Sequence, residues 1–171
     1  CFDEKAAADI PPRRNPSQLQ LIFNALRAAQ PRGETALVRA LHDLAEKVKQ
    51  RALVMIFSDL FCEVEPLLDA FQHLRFQKHD LVLYHLLDRR EVEFQFDRPV
   101  RFVDMENSST ILTEPAVIRR QYLAQFEDHL LRLKQGCHRF NADYRRVVTD
   151  QNYEKVLADF MVERSAASGA R

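Results

Sequence analysis

Hydrophobic positions change their spacing along this chain, and the changes mark out alternating helices and strands. After Asn15-Pro16, a cap followed by a proline suited to a first helical turn, Leu19, Ile22, Phe23 and Leu26 recur at helical spacing and predict an amphipathic helix ending near Pro31. Thr35 is placed to cap a second helix that carries Leu37, Val38, Leu41, Leu44 and Val48 on one face. Leu53 to Phe57 is apolar at every position and stops at Ser58-Asp59, which reads as a strand buried on both faces and as the candidate for the centre of a sheet. A third helix, with Leu67, Leu68, Phe71 and Leu74, leads to a second run of this kind, Leu81 to Leu87. Strand, helix, strand at this spacing predicts a parallel pair joined by a right-handed crossover.

The pattern then shifts to strict alternation from Glu91 to Phe96, with Val92, Phe94 and Phe96 on one side. With Asp97-Arg98-Pro99 as a turn and Val100 to Asp104 as a return strand, it predicts a small two-stranded, half-exposed β insert. Thr113 is placed to cap a long helix with Pro115 in its first turn, striped by Val117, Ile118, Phe126, Leu130, Leu133 and Cys137 and weakened near its end by Gly136. Tyr144 to Val148 predicts a further strand ending at Thr149-Asp150, and Tyr153, Val156, Leu157, Phe160 and Met161 predict a last helix. The whole reads as a doubly wound α/β fold with a mostly parallel sheet, one domain over 1–164 and a disordered tail of small residues over 165–171.

Composition narrows the function classes. Of 171 residues, Lys plus Arg and Asp plus Glu number 25 each, so no global field draws the chain to nucleic acid or to an anionic membrane. The longest apolar run, Ala52 to Phe57, is far short of the roughly 20 residues of a membrane span. Cys1, Cys62 and Cys137 form neither a CxxC nor a disulfide framework; they read as reduced thiols and imply a cytoplasmic chain. The chain opens on Cys1-Phe2-Asp3-Glu4 rather than on Met, which leads to the expectation of further sequence upstream.

In doubly wound sheets, ligands sit beyond the carboxyl ends of the strands, so Asp3, Asp59, Asp88 and Asp150 are the residues to inspect. Repeated acids on one rim suit a hard cation: Thr35, Ser58 and Asp59 offer hydroxyl and carboxylate oxygens for Mg²⁺. Helix capping is the bland reading of Thr35 and of Asp59. His73, His79 and His85 recur every six residues, a spacing that shares no helix or strand face, and no HExxH accompanies them; His85, within an apolar strand, reads as a core histidine bonded to a backbone carbonyl. Cys62 stands near a helix start that could lower its pKa, but no positioned base is legible. The doublets Arg13-Arg14, Arg89-Arg90, Arg119-Arg120 and Arg145-Arg146 read as solvated surface.

The segment from Ala52 to Phe61 is similar to the fourth strand of von Willebrand factor A domains with its terminal serine-aspartate pair, and Gly33-Glu34-Thr35 resembles their threonine loop. More narrowly, Arg75 with Lys78-His79-Asp80, His85 to Asp88, Glu91 to Phe94 with Phe102-Val103-Asp104, and Tyr153 to Phe160 together resemble the domain of unknown function 58 family. That family is von Willebrand factor A-like and is often encoded beside MoxR-type AAA+ ATPases. The resemblance implies a metal-ion-dependent adhesion site in which Thr35 and Asp59 match the second and third ligand loops. The first loop, an Asp-x-Ser-x-Ser element after the first strand, is absent from this sequence. The expectation is therefore a domain lacking its first strand, with an incomplete site and Mg²⁺ binding that is weak or lost.

The leading reading is a protein-binding scaffold, an adaptor for a MoxR-type AAA+ ATPase, that makes and breaks no bond. The alternative makes Asp59 the phosphoacceptor of a receiver-like or Mg²⁺-dependent phosphotransfer domain, although no upstream acidic pair or Gly-rich phosphate loop accompanies it. A third reading is a purely structural domain with no ligand. In the strand order that the resemblance implies, the missing strand would lie between the one ending at Asp3 and the one ending at Asp59. Three outcomes then stand open: the segment before Pro11 detaches, it pairs with Leu53 to Phe57, or a second copy does and gives a homodimer, the last two being favoured because that apolar strand tolerates no water along its edge.

Overall fold

The computed structural model describes residues 10–11, 14–29, 36–96, 98–103 and 110–169. Asp3, Thr35, the Gly33-Glu34 pair, Asp104 and the segment before Ile10 lie outside them. Three parallel strands form the main sheet: β1 (Leu53–Ser58), β2 (Asp80–Leu87) and β5 (Ala142–Val148), in the order β1-β2-β5. Met55 pairs with Val82 across one junction and Tyr84 with Arg145 across the other. α3 (Val64–Phe76) joins β1 to β2, so the predicted strand-helix-strand unit is present in parallel register. The fold is α/β, Rossmann-like, with helices on both faces of its sheet.

The larger core lies on one face. There Val54 and Ile56 of β1 and Leu81 and Leu83 of β2 meet α2 (Leu37–Lys47), α3 and α5 (Pro115–Arg139) through Leu41, Leu67, Phe71, Leu74 and Leu133. A smaller cluster on the other face sets Val82 and Tyr84 against Phe160 of α6 (Tyr153–Gly169). α6 stays helical through Gly169, past Ser165 where fraying was expected. The stripe of α1 (Ser17–Ala28) is exposed, with no buried residue in the helix.

Two expectations change. Among the described residues the sheet's central strand is β2, buried on both faces, whereas β1 has a strand partner on one side and alternates, exposing Leu53 at 39%, Met55 at 37% and Phe57 at 53%. An all-apolar run does not say which of two such strands is flanked on both sides; that is decided by β5, which pairs with the far edge of β2. The alternating segment from Glu91 to Phe96 is no strand. It is occupied by a short helix, α4 (Arg89–Glu93), because Asp88 and Glu91 form a reciprocal capping box: Asp88 Oδ1 accepts from the Arg90 N–H at 2.8 Å, and the Asp88 N–H donates to Glu91 Oε2 at 2.9 Å.

The helix stops at Phe94, whose φ is 44°, and the Phe94 ring is buried against Tyr122 (centroids 4.1 Å apart), Phe96 and Phe102. The insert does exist, as β3 (Val100–Val103) antiparallel to β4 (Thr110–Thr113). Thr113 therefore ends a strand, and Glu114 takes the N-cap position of α5 without a side-chain cap.

Gly136 does not interrupt α5. A Cβ built there would fall 2.4 Å from a methyl of Leu68, so the glycine permits the close approach of α5 to α3. Gly136→Ala is expected to lose stability by about 1–3 kcal/mol through overpacking, even though alanine is the better helix former. In urea denaturation, the double variant Gly136→Ala/Leu68→Ala should be more stable than the sum of the single losses; strict additivity would show that the two sites do not touch.

Candidate functional site

The carboxyl ends of the three parallel strands share one rim, and an aspartate follows each. Asp88, after β2, is the N-cap of α4 and is engaged by its capping box. Asp150, after β5, is paired with Arg89, whose guanidinium holds the Asp150 carboxyl below its ordinary range. Asp59, after β1, is different. It is exposed, and its Oδ1 receives only long contacts, 3.3 Å from Ser58 Oγ and 3.4 Å from the Phe61 N–H. Of the three rim acids described, Asp59 alone presents a carboxylate that neither a helix cap nor an ion pair has claimed.

Asp59 stands in a strained turn. Leu60 has φ 55°, a left-handed conformation that costs a branched side chain about 1–2 kcal/mol. Its side chain is nonetheless buried to 1% exposure in the larger core, which anchors the turn. The Leu60 N–H donates to Ser58 Oγ at 3.1 Å, and the Cys62 N–H donates to the Leu60 carbonyl at 2.7 Å. His129 of α5 lies edge-on to the ring of His85, with centroids 6.4 Å apart.

His85 of β2, 1% exposed, lies 2.8 Å through Nε2 from the Asp59 carbonyl and 2.8 Å through Nδ1 from the Tyr144 hydroxyl. A carbonyl only accepts, so Nε2 carries the hydrogen; Nδ1 is then the acceptor and Tyr144 the donor. The expected bond from His85 to a backbone carbonyl is present, and the carbonyl is that of Asp59. Tyr144 and His129 are additions that no periodicity in the sequence signals.

The other candidates are accounted for locally. His79 Nδ1 accepts from the Ala52 N–H at 3.1 Å while its buried Nε2 has no hydrogen-bond partner among the described residues, and His73 pairs with Glu46 at 3.2 Å and lies 3.1 Å from His42. Cys62 precedes α3, but burial and then the Asp59 charge push its thiol up, opposite to the activation considered from sequence. Among the doublet arginines, Arg89 is ion-paired with Glu93 and Asp150 and Arg145 with Asp143 and Glu163, while Arg119 donates to the Glu93 and Phe94 carbonyls. Among the described residues no three His, Cys, Asp or Glu side chains converge on a metal position. No helix among them is long and apolar enough to cross a membrane.

Ser58 and Asp59 do not by themselves fit Mg²⁺. They come from one turn, the Ser58 hydroxyl is already bonded within it, and near-octahedral coordination needs oxygens from several directions. Thr35, expected as the third, lies outside the described residues.

The family described as "Protein of unknown function DUF58" matches residues 1–132, a span that includes the Asp59 turn, His85 and His129 but stops before Tyr144. Neither the curated proteins nor the solved structures provide a match.

Burial pushes the His85 imidazole down from 6.5 to about 4, against the opposing pull of the Asp59 carbonyl. The unfolded chain therefore takes up the proton first as pH falls. The stabilisation from neutral His85 is complete above pH 6.5 and is lost as pH drops toward about 4. It amounts to at most about 3 kcal/mol. Urea midpoints of the unaltered protein should fall across that window, and those of His85→Gln should fall less; parallel curves would contradict the assignment.

Proposed function

The chain belongs to the DUF58 family, and on that premise we propose that it is a protein-binding module, an adaptor that engages a MoxR-type AAA+ ATPase in the cytosol through the rim around Asp59. The observation that supports this reading is the contrast among the rim acids: Asp88 and Asp150 serve the fold, whereas Asp59 is exposed on a turn held in a costly conformation. Strain kept at an exposed carboxylate is a mark of a functional position. The module contributes recognition and makes and breaks no bond. A Mg²⁺ ion at this rim would require Thr35 and further oxygens beyond Ser58 and Asp59.

Asp59→Ala should reduce capture of a MoxR-type ATPase encoded beside the protein at least about tenfold at low salt, equivalent to about 1.4 kcal/mol. The variant should leave the urea midpoint within about 0.5 kcal/mol, as expected for an exposed site. Unchanged capture would remove Asp59 from the interface. Calorimetry should find no saturable Mg²⁺ site in the chain, and acetyl phosphate with Mg²⁺ should leave Asp59 unmodified; an adduct there would favour the phosphoacceptor reading.

We further propose that the outer edge of β1 is covered by a second copy. Among the described residues that edge has no strand partner, and β1 carries no lysine, proline or bulge of the kind that shields free edges. Two copies related by a two-fold axis would pair β1 with β1 and cover Leu53, Met55 and Phe57. Light scattering after size exclusion should give the mass of a dimer, and Met55→Lys that of a monomer. A monomeric unaltered chain would overturn the proposal.

A further inference from the structure

We propose that His85 is the positioning residue of Asp59: by holding the Asp59 carbonyl it sets the left-handed turn at Leu60, and Tyr144 satisfies the other ring nitrogen and holds the imidazole in place. This rests on the reading of Asp59 as a contact residue and adds the device that aims it.

The geometry separates His85 from a histidine that merely fills a core. Its donor reaches out of β2 to the first residue beyond β1, 26 positions earlier in the chain, instead of bonding within its own strand. The carbonyl it grips immediately precedes the residue with positive φ. Leu60 would relax toward an extended or right-handed conformation if nothing opposed it, and rotation about its backbone would swing the neighbouring Asp59 carboxylate.

Two bonds oppose that rotation, His85 on the Asp59 carbonyl and the Leu60 N–H on Ser58 Oγ. The Asp59 carbonyl, which can only accept, places the hydrogen of His85 on Nε2, and the Tyr144 hydroxyl donates to the bare Nδ1. Burial keeps the phenol protonated by pushing its pKa up to about 12. In Tyr144→Phe, the buried Nδ1 loses its donor and is left unsatisfied, which weakens the hold of the imidazole on the turn.

Long-range ¹⁵N spectra of the chain are expected to show His85 as the Nε2–H tautomer; an Nδ1–H tautomer would overturn the proposal. Amide exchange then reads the turn itself. In His85→Leu, the Leu60 and Cys62 amides should exchange at least about tenfold faster while the Val82 and Leu83 amides of β2 keep their rates. His85→Gln, which retains an N–H donor, should restore most of the protection. Equal acceleration of turn and strand, or no recovery with glutamine, would show that His85 acts only as core filling and would overturn the proposal. Capture of the ATPase by the same variants keeps the two ideas apart: normal capture by Asp59→Ala rejects the contact reading, whereas the tautomer and the exchange pattern judge His85 directly.

Discussion

The constraint that organises this domain is the double burial of β2. A strand with protein on both faces cannot leave backbone N–H and C=O groups to water, so both of its edges must be paired and both of its faces covered. β1 and β5 supply the edges; α2, α3 and α5 cover one face and α6 the other. The same constraint bears on the strand's one imidazole. Both nitrogens of His85 need partners inside the protein, and those partners are a neighbouring strand's tyrosine and the carbonyl just past β1. Satisfying a buried polar group thereby fixes the geometry of an exposed turn.

Much of the fold was legible in the sequence because local period and composition suffice to define it. The two apolar runs, the helix between them and the proline-led long helix each carry their signal within a short window. What was not legible depended on residues far apart. β1 and β2 look alike as strings, and only the pairing of β5 makes β2 central. The alternation from Glu91 to Phe96 is real, but the Asp88–Glu91 capping box starts a helix there, and the packing of Phe94 on Tyr122 and Phe102 holds the result. Asp59 was visible as the residue after an apolar strand. Tyr144 and His129 were not, since their bearing on the turn arises only when β5 and α5 come alongside.

The rim also shows why a row of acids at strand ends is weak evidence for a cation. An aspartate just before a helix is a good cap, and one near an arginine is a good ion-pair partner; Asp88 and Asp150 take these roles. Position at the rim is shared by all three described acids. What distinguishes Asp59 is the absence of such employment among the described residues, together with the histidine-braced backbone beneath it.

The reach of His85 has a consequence for when Asp59 becomes competent. The contact between the β1–β2 unit and its own start spans 27 residues, as in the bond from Ala52 to His79, whereas Tyr144 lies 59 residues beyond His85. Closing the longer loop carries the larger entropic cost, by about 0.6 kcal/mol per doubling, and the intervening insert and α5 must be in place for β5 to dock. A nascent or partly unfolded chain can contain β1, its serine-aspartate pair and even the parallel β2, and still lack the phenol that satisfies and holds the His85 ring. The orientation of a single surface carboxylate is in this way made conditional on the completed domain, so that assembly and display of the site are one event.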